Sequence, residues 1–181
     1  DTTGDNITIV GSVPVTVYGD EGDNIIVGGS GDDTIEAGAG DDTIDGGDGD
    51  DKIVGGLGDD VISGGAGDDV LAGQTGDDAI VSGAGSDSIL AGLGDDVITV
   101  DGAGDKTIDG GTGSDRLIVD YNGYELTDYD VTKSDEYFEL TAMRQIGDKT
   151  FLNLSYKRSF SLNQSAIGVE YKLNKPISKI T

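Results

Sequence analysis

The 181-residue chain contains no cysteine, no histidine and no tryptophan, and it has only two prolines and one methionine. Without thiolates or imidazoles it lacks the usual ligands of zinc and the base of a histidine-dependent catalytic triad. It also lacks the disulfides that staple many secreted domains, although that absence does not by itself assign a reducing compartment. Basic residues are scarce: Lys and Arg number 11 against 36 Asp and Glu, for a net charge of −25. So acidic a surface repels nucleic acid and anionic lipid. No apolar run reaches membrane-spanning length, and no signal peptide is visible. With no initiator Met, the chain is expected to be a piece of a longer protein.

The acidic surplus is local. Residues 1–118 hold 27 acids and 3 bases, or −24, whereas residues 119–181 hold 9 acids and 8 bases, or −1. Within the acidic part, residues 19–117 fall into eleven tandem blocks of nine, such as Gly28-Gly29-Ser30-Gly31-Asp32-Asp33-Thr34-Ile35-Glu36. The fourth position is glycine in every copy, from Gly22 to Gly113. The sixth is Asp33, Asp42, Asp51, Asp60, Asp69, Asp78, Asp87, Asp96 or Asp115, with Asn24 in the first copy and Lys106 in the tenth. The eighth is always Ile or Leu, from Ile26 to Leu117. A flexible Gly/Asp linker has no reason to place an aliphatic residue at every ninth position.

This block resembles the glycine-rich nonapeptide G-G-x-G-x-D-x-U-x of the RTX (repeats-in-toxin) family, over about 99 of the 181 residues. The resemblance implies an all-β fold, a parallel β-roll (β-solenoid) of about six turns with 18 residues per turn, and calcium as its ion. Physical reasoning reaches a similar shape. Nine residues suit a six-residue glycine-rich turn followed by a three-residue strand, and two such units close one turn of a flattened solenoid. Alternation along a strand then turns the eighth position inward, while its neighbours Thr43, Lys52, Val61 and Ser63 face out.

Stacking places sixth-position carboxylates of adjacent turns ~4.8 Å apart. Calcium takes oxygen ligands at ~2.3–2.6 Å, so two such distances span nearly the same gap. Without an ion, two carboxylates at ~5 Å repel by roughly 1 kcal/mol in water and by several at an effective dielectric of about 20. An ion would turn that repulsion into attraction, which a core one aliphatic residue thick needs. The expected sites lie between Asp42/Asp60, Asp60/Asp78, Asp78/Asp96 and Asp96/Asp115 on one side, and between Asp33/Asp51, Asp51/Asp69 and Asp69/Asp87 on the other. Asn24/Asp42 is expected as a weaker eighth, because Asn24 offers an oxygen without a charge. Asp87/Lys106 should hold no ion, because the Lys106 ammonium would occupy or repel it. About seven to eight calcium ions are therefore expected. The resemblance further implies loop carbonyls as ligands. On this sequence those are Gly28, Ser30, Gly31, Gly46, Asp48, Gly49, Gly55, Leu57, Gly58, Gly64, Ala66, Gly67, Gly73, Thr75, Gly76, Gly85 and Gly94.

Three units are expected: an N-terminal capping turn at 1–18, the roll at 19–118 and a β-rich C-terminal cap at 119–181. Gly4-Asp5-Asn6 lies 18 residues before Gly22-Asp23-Asn24 and is expected one solenoid turn below it. Val13-Pro14-Val15-Thr16-Val17 replaces a glycine loop with an edge-like strand. Near Thr99-Val100 one extra residue stretches the repeat to ten. Beyond Leu117 lie every Phe and six of the seven Tyr. There, 137–143 and 151–156 read as a hairpin around Gly147-Asp148, and 167–173 as a further strand.

Competing chemistries fail on spacing. Gly104-Asp105-Lys106-Thr107 and Gly147-Asp148-Lys149-Thr150 lack the glycine that a phosphate loop needs directly before its lysine. The aspartate pairs recur too monotonously to form one glycosidase cleft, and isoleucine interrupts every candidate EF-hand loop. The expected function is a non-catalytic calcium-binding module, secreted or on the cell surface of a bacterium, that folds on meeting calcium. By resemblance its parent is a toxin, adhesin or exoenzyme exported by a type I secretion apparatus. The excised module is expected to be monomeric and to bind no nucleic acid. An alternative is a carbohydrate- or surface-binding module using the cap tyrosines or Arg144, Lys157 and Arg158; another is the C-terminal part of a secreted protease or lipase.

Overall fold

A computed structural model describes residues 3–101, 104–121, 129–132, 137–146 and 150–159, with side chains through residue 118. The 167–173 strand and the turn of the 137–156 hairpin lie outside the described residues. Among those described, every regular element is a β-strand, and the chain deals successive strands alternately into two sheets. One sheet holds, in spatial order, β1 (Asn6–Thr8), β3 (Ile25–Gly29), β5 (Thr43–Asp48), β7 (Val61–Ala66), β9 (Ala79–Val81), β11 (Val97–Val100), β13 (Ser114–Tyr121), β15 (Tyr137–Ile146) and β16 (Thr150–Ser159). The other holds β2 (Thr16–Tyr18), β4 (Thr34–Ala39), β6 (Lys52–Leu57), β8 (Val70–Thr75), β10 (Ser88–Leu93), β12 (Lys106–Thr112) and β14 (Tyr129–Thr132).

Pairing within each sheet is parallel except between β15 and β16. Ile26 stands beside Ile44, Ile44 beside Ile62 and Ile35 beside Ile53, each 18 residues on. The extra residue near Val100 is absorbed without losing the column, since Ile89 pairs with Ile108 and Ile98 with Leu117. The fold is the expected all-β parallel solenoid. The hairpin also forms, with Ile146 opposite Thr150. Parallel pairing continues past residue 118: Ile108 pairs with Val131 and Leu117 with Leu140, so one enlarged turn follows the regular ones.

Two expectations fail locally. The repeat is not six residues of turn and three of strand. Strands such as Thr34–Ala39 run six residues, because ladder pairing continues through the glycine pair, as between Gly29 and Gly47. The first turn is 19 residues long, not 18, with Asn6 opposite Ile25 and Ile7 opposite Ile26. The hydrophobic column sets that register. At an offset of 18, Thr8 would face the core and Ile7 the solvent, because a one-residue slip exchanges the faces of a strand. In the 19-residue register Ile7 packs against the core.

That core is a double column. Ile26, Ile35, Ile53, Ile62, Leu71, Ile98 and Ile108 are fully buried, and they alternate with the first position of the next repeat. The first position must be small. A Cβ added to Gly46 would fall 2.5 Å from the Gly64 carbonyl oxygen and 3.0 Å from Ile53 Cδ1 of the facing sheet. The second and fourth positions turn the chain with positive φ, as at Gly47 (103°) and Gly49 (120°). There an L-residue costs ~1–2 kcal/mol through Cβ–carbonyl contact. Gln74 is the one described non-glycine residue in this conformation, with φ at 85°.

These two positions give opposed expectations in calcium-saturated thermal melts. Gly47→Ala, whose Cβ would also meet the Gly29 carbonyl, should lower the melting point by the equivalent of roughly 1–3 kcal/mol. Gln74→Gly should raise it by the equivalent of about 1 kcal/mol. Shifts of the same sign would show that left-handed backbone does not limit the turn.

Candidate metal centre

Each turn passes from one sheet to the other through the fourth to sixth positions, so the fifth and sixth residues of successive turns stack along the edges of the roll. The sixth-position aspartates are buried, between 0 and 2 % exposed. The stacking is not the bare row of facing carboxylates that spacing alone suggests. One oxygen of each accepts a backbone N–H from the residue one turn below, Val15 for Asp33, Asn24 for Asp42 and an aspartate for the others. Asp33 donates to Asp51 Oδ1 at 2.7 Å, Asp42 to Asp60 at 2.9 Å, Asp60 to Asp78 at 2.9 Å and Asp78 to Asp96 at 2.8 Å. The fifth-position aspartates form a second, exposed ladder running the other way. Asp41 donates its N–H to Asp23 Oδ1 at 3.0 Å, and Asp59 to Asp41 at 2.9 Å. Each edge is stitched in both directions by side chains that cap backbone donors.

The second sixth-position oxygen has no such use. Oδ2 of Asp33, Asp42, Asp51, Asp60, Asp69, Asp78 and Asp96 is buried and accepts no hydrogen bond. A buried anionic oxygen without a partner is strongly unfavourable. Carbonyls gather around these atoms. A Cβ on Gly64 would lie 2.6 Å from Asp69 Oδ2 and 2.5 Å from the Ser82 carbonyl oxygen of the turn above; at Gly28 it would meet Asp33 Oδ2 at 2.8 Å and the Gly46 oxygen. The missing Cβ leaves room where those oxygens converge. Among the described residues no three acidic side chains gather at one point. The donor set is one carboxylate oxygen ringed by main-chain carbonyls, which suits a hard cation such as calcium.

Lys106 shows the positive charge such a pocket accepts. Its ammonium is fully buried and donates to the Gly83 oxygen at 2.9 Å, to the Gly85 oxygen at 2.6 Å and to Asp87 Oδ2. Three donors meet three acceptors, all oxygen, at the pocket where Asp87/Lys106 was expected to hold no ion. The expected aspartate pairs are all brought together. Of the expected carbonyls, Gly85 at the fourth position faces the stand-in cation, and Gly46 and Gly64 at the first lie against an unpartnered Oδ2. The third-position oxygens of Leu57, Ala66 and Thr75 accept N–H bonds from Gly40, Gly49 and Gly58, leaving one lone pair each. Asn24 differs from expectation: its Oδ1 is taken by the Asp5 N–H, and its amide nitrogen turns into the pocket. Sequence reasoning missed the second-position carbonyl, represented by Gly83. The positive φ that its glycine permits is the signal that could have found it.

Burial governs the electrostatics. It pushes Asp60, Asp69 and Asp96 up to about 7, and Asp51 and Asp78 to about 6, from an ordinary 3.8. The N–H bond from the turn below works against that rise in each case. Neighbouring carboxylates add to it, Asp78 and Asp42 in the case of Asp60. Asp42 is raised as well, first by burial.

Two parallel sheets wound as a single helix, with oxygen-lined pockets stacked along both edges, define a calcium-type β-roll. A family model for the RTX calcium-binding nonapeptide repeat matches the chain in four copies, at residues 18–53, 45–80, 72–106 and 100–120. These copies cover residues 18–120, more than half of the chain, and the protein belongs to that family. A comparison with curated proteins gives no match. The chain is thus a calcium-binding repeat module, built on an element that is structural and not catalytic. The alternative ligand platform at Arg144, Lys157 and Arg158 lies outside the residues whose side chains are described.

The raised carboxyls set a pH dependence for the ion-free protein. A group with a higher pKa folded than unfolded favours the fold while protonated, so its contribution is complete below about 4 and lost as pH rises through 6–7. In EDTA, the folded circular-dichroism signal should therefore weaken as pH rises from about 4.5 to about 8. A rise over that interval would mean that the carboxyls are not buried as described.

Proposed function

We propose that the chain is a calcium-dependent folding module of a larger secreted bacterial protein, in which ions seated between turns convert a self-repelling chain into a solenoid. The carrying observation is that Oδ2 of Asp33, Asp42, Asp51, Asp60, Asp69, Asp78 and Asp96 is buried without a hydrogen-bond partner, whereas the equivalent atom on Asp87 holds an ammonium. Calcium would be held at the pockets of Asp33, Asp42, Asp51, Asp60, Asp69, Asp78 and Asp96. The second- and fourth-position carbonyls of the same repeat and the first-position carbonyl of the turn above complete each pocket. When bound, calcium supplies two positive charges to oxygens that water cannot reach.

Such a chain suits export. Where calcium is scarce, its carboxylates repel and its glycines keep the backbone free, so it resembles a disordered segment. Where calcium is plentiful, each site held 100-fold above its dissociation constant adds ~2.7 kcal/mol by mass action. Several such sites exceed the ~5–15 kcal/mol net stability of an ordinary domain. That contrast supports a module that stays unfolded during passage through a type I secretion apparatus and folds outside the cell. A toxin, an adhesin or an exoenzyme would all be served by it, with the module itself monomeric and without catalysis.

Calorimetric titration should give seven ions, and EDTA at neutral pH should abolish the circular-dichroism signal of the repeats. Fewer than four ions, or a β-signal indifferent to EDTA, would reject the reading. Position in the row should matter too. Asp60 stands between Asp42 and Asp78, whereas Asp33 has Val15 below it and an aspartate only above. Asp60→Ala should therefore raise the calcium midpoint several-fold more than Asp33→Ala, because metal binding and folding are coupled at each shared carboxylate.

A further inference from the structure

We propose that Asn24 and Lys106 are built-in end stops of the calcium array: their nitrogens fill one terminal pocket in each row and hold those turns without metal. The aspartates form two rows. One runs Asn24, Asp42, Asp60, Asp78, Asp96 and Asp115; the other runs Asp33, Asp51, Asp69, Asp87 and Lys106. Asn24 closes the first row at its amino-terminal end, and Lys106 closes the second at its carboxy-terminal end.

The two substitutions stand at the same repeat position but close different pockets, Asn24 that of its own turn and Lys106 that of Asp87 in the turn below. Beside Gly28, the atoms nearest an added Cβ include the Gly46 oxygen of the turn above and Asp33 Oδ2. Beside Gly19 they are the Ala37 oxygen of the turn above and Asn24 Nδ2, at 2.9 Å. A nitrogen donor stands where every other pocket in the row presents an anionic oxygen. It donates to the Gly22 oxygen at 2.6 Å and to the Ala37 oxygen at 3.3 Å. The amide cannot be turned over, because its oxygen is held by the Asp5 N–H at 2.7 Å and that donor needs an acceptor. Lys106 achieves closure with a full charge, and Asp87 Oδ2, unlike that of Asp33, Asp51 and Asp69 below it in the row, has a hydrogen-bond partner.

A carbonyl that accepts an N–H offers its lone pair in the same direction a metal would need, so both pockets are shut to cations. Each shut pocket is latent: an aspartate at position 24 restores the oxygen that the rest of the row carries, and one at position 106 takes the ammonium off Asp87 Oδ2. The ends gain independence from calcium in return. Lys106 ties the last regular turn to Gly83, Gly85 and Asp87 of the turn below by bonds that need no ion.

Native mass spectrometry at saturating calcium tests the assignment. The wild type should carry seven ions, Asn24→Asp eight, Lys106→Asp eight and the double variant nine. Asn24→Asp is nearly isosteric, so a folding failure of Lys106→Asp would leave the test intact. The inference rests on the calcium ladder, and the two fail differently. A wild type without calcium rejects the ladder, whereas seven ions in the wild type and in both single variants reject the end stops alone. Hydrogen exchange supplies a second readout. The Thr107 N–H, which bonds to the Asp87 oxygen, should exchange in EDTA about tenfold or more slowly than the Val70 N–H. Lys106→Met should remove that difference. Equal exchange in the wild type would overturn the role of Lys106.

Discussion

The structure depends on one unfavourable atom repeated along both edges: a carboxylate oxygen, buried and without a partner. Left alone, such an atom should open the fold or acquire a proton, and the raised pKa of Asp60, Asp69 and Asp96 registers that tendency. The core cannot absorb the cost. It is a column of single aliphatic side chains separated mostly by glycine, alanine or serine, and a Cβ at Gly46 would meet Asp51 Oδ2, the Gly64 oxygen and Ile53 Cδ1. Whatever neutralises the orphan oxygens removes that cost. Protons, calcium and the Lys106 ammonium are three answers to the same deficit.

The two oxygens of one carboxylate have separate duties. Oδ1 caps a backbone N–H at the corner, where no strand partner exists, and so satisfies a donor that would otherwise be buried unpaired. Oδ2 is left for a cation. The division explains why asparagine can replace aspartate at the first position of a row and not serve equally elsewhere: its oxygen still caps the Asp5 N–H, but its second atom is a donor. It also explains the regularity of the glycines. Most glycines at positions two and four, such as Gly83 and Gly85, combine positive φ with a carbonyl that faces the pocket, and a glycine at position one leaves the pocket open. Backbone and side chain are shaped by the same ion.

Much of this could be read in the chain before any coordinates. The nine-residue period, the inward Ile at position eight and the buried Asp at position six follow from alternation and repetition, and the register of 18 follows from two repeats per turn. The seven pairs fall where spacing puts them. The strand length did not follow, because glycine reads as turn in a sequence while its backbone can still pair in a ladder, as Gly29 does with Gly47. The first turn misled for another reason. Gly4-Asp5-Asn6 copies the letters of Gly22-Asp23-Asn24, but Ile7 must reach the column of Ile26, and packing outweighs resemblance of letters. The exposed ladder of Asp23, Asp41 and Asp59 was invisible because an acidic surface residue carries no pattern that distinguishes a cap from a solvated charge.

The architecture fixes how far the influence of one site extends. A solenoid is stabilised by contacts between nearest neighbours, so each turn answers only to the turns above and below it. Here the neighbour term is concentrated in single residues: Asp60 caps the N–H of Asp42 with one oxygen and faces the next pocket with the other. A cation in a pocket would hold a carboxylate that also caps the turn below, so under the proposed function order would pass along a row one turn at a time. Such a row needs a place to begin, since the first ordered turn has no ordered neighbour to lean on. An ammonium on the chain itself is a cation whose local concentration does not depend on the surroundings. The turn joined by Lys106 therefore has a cation in place when calcium is absent.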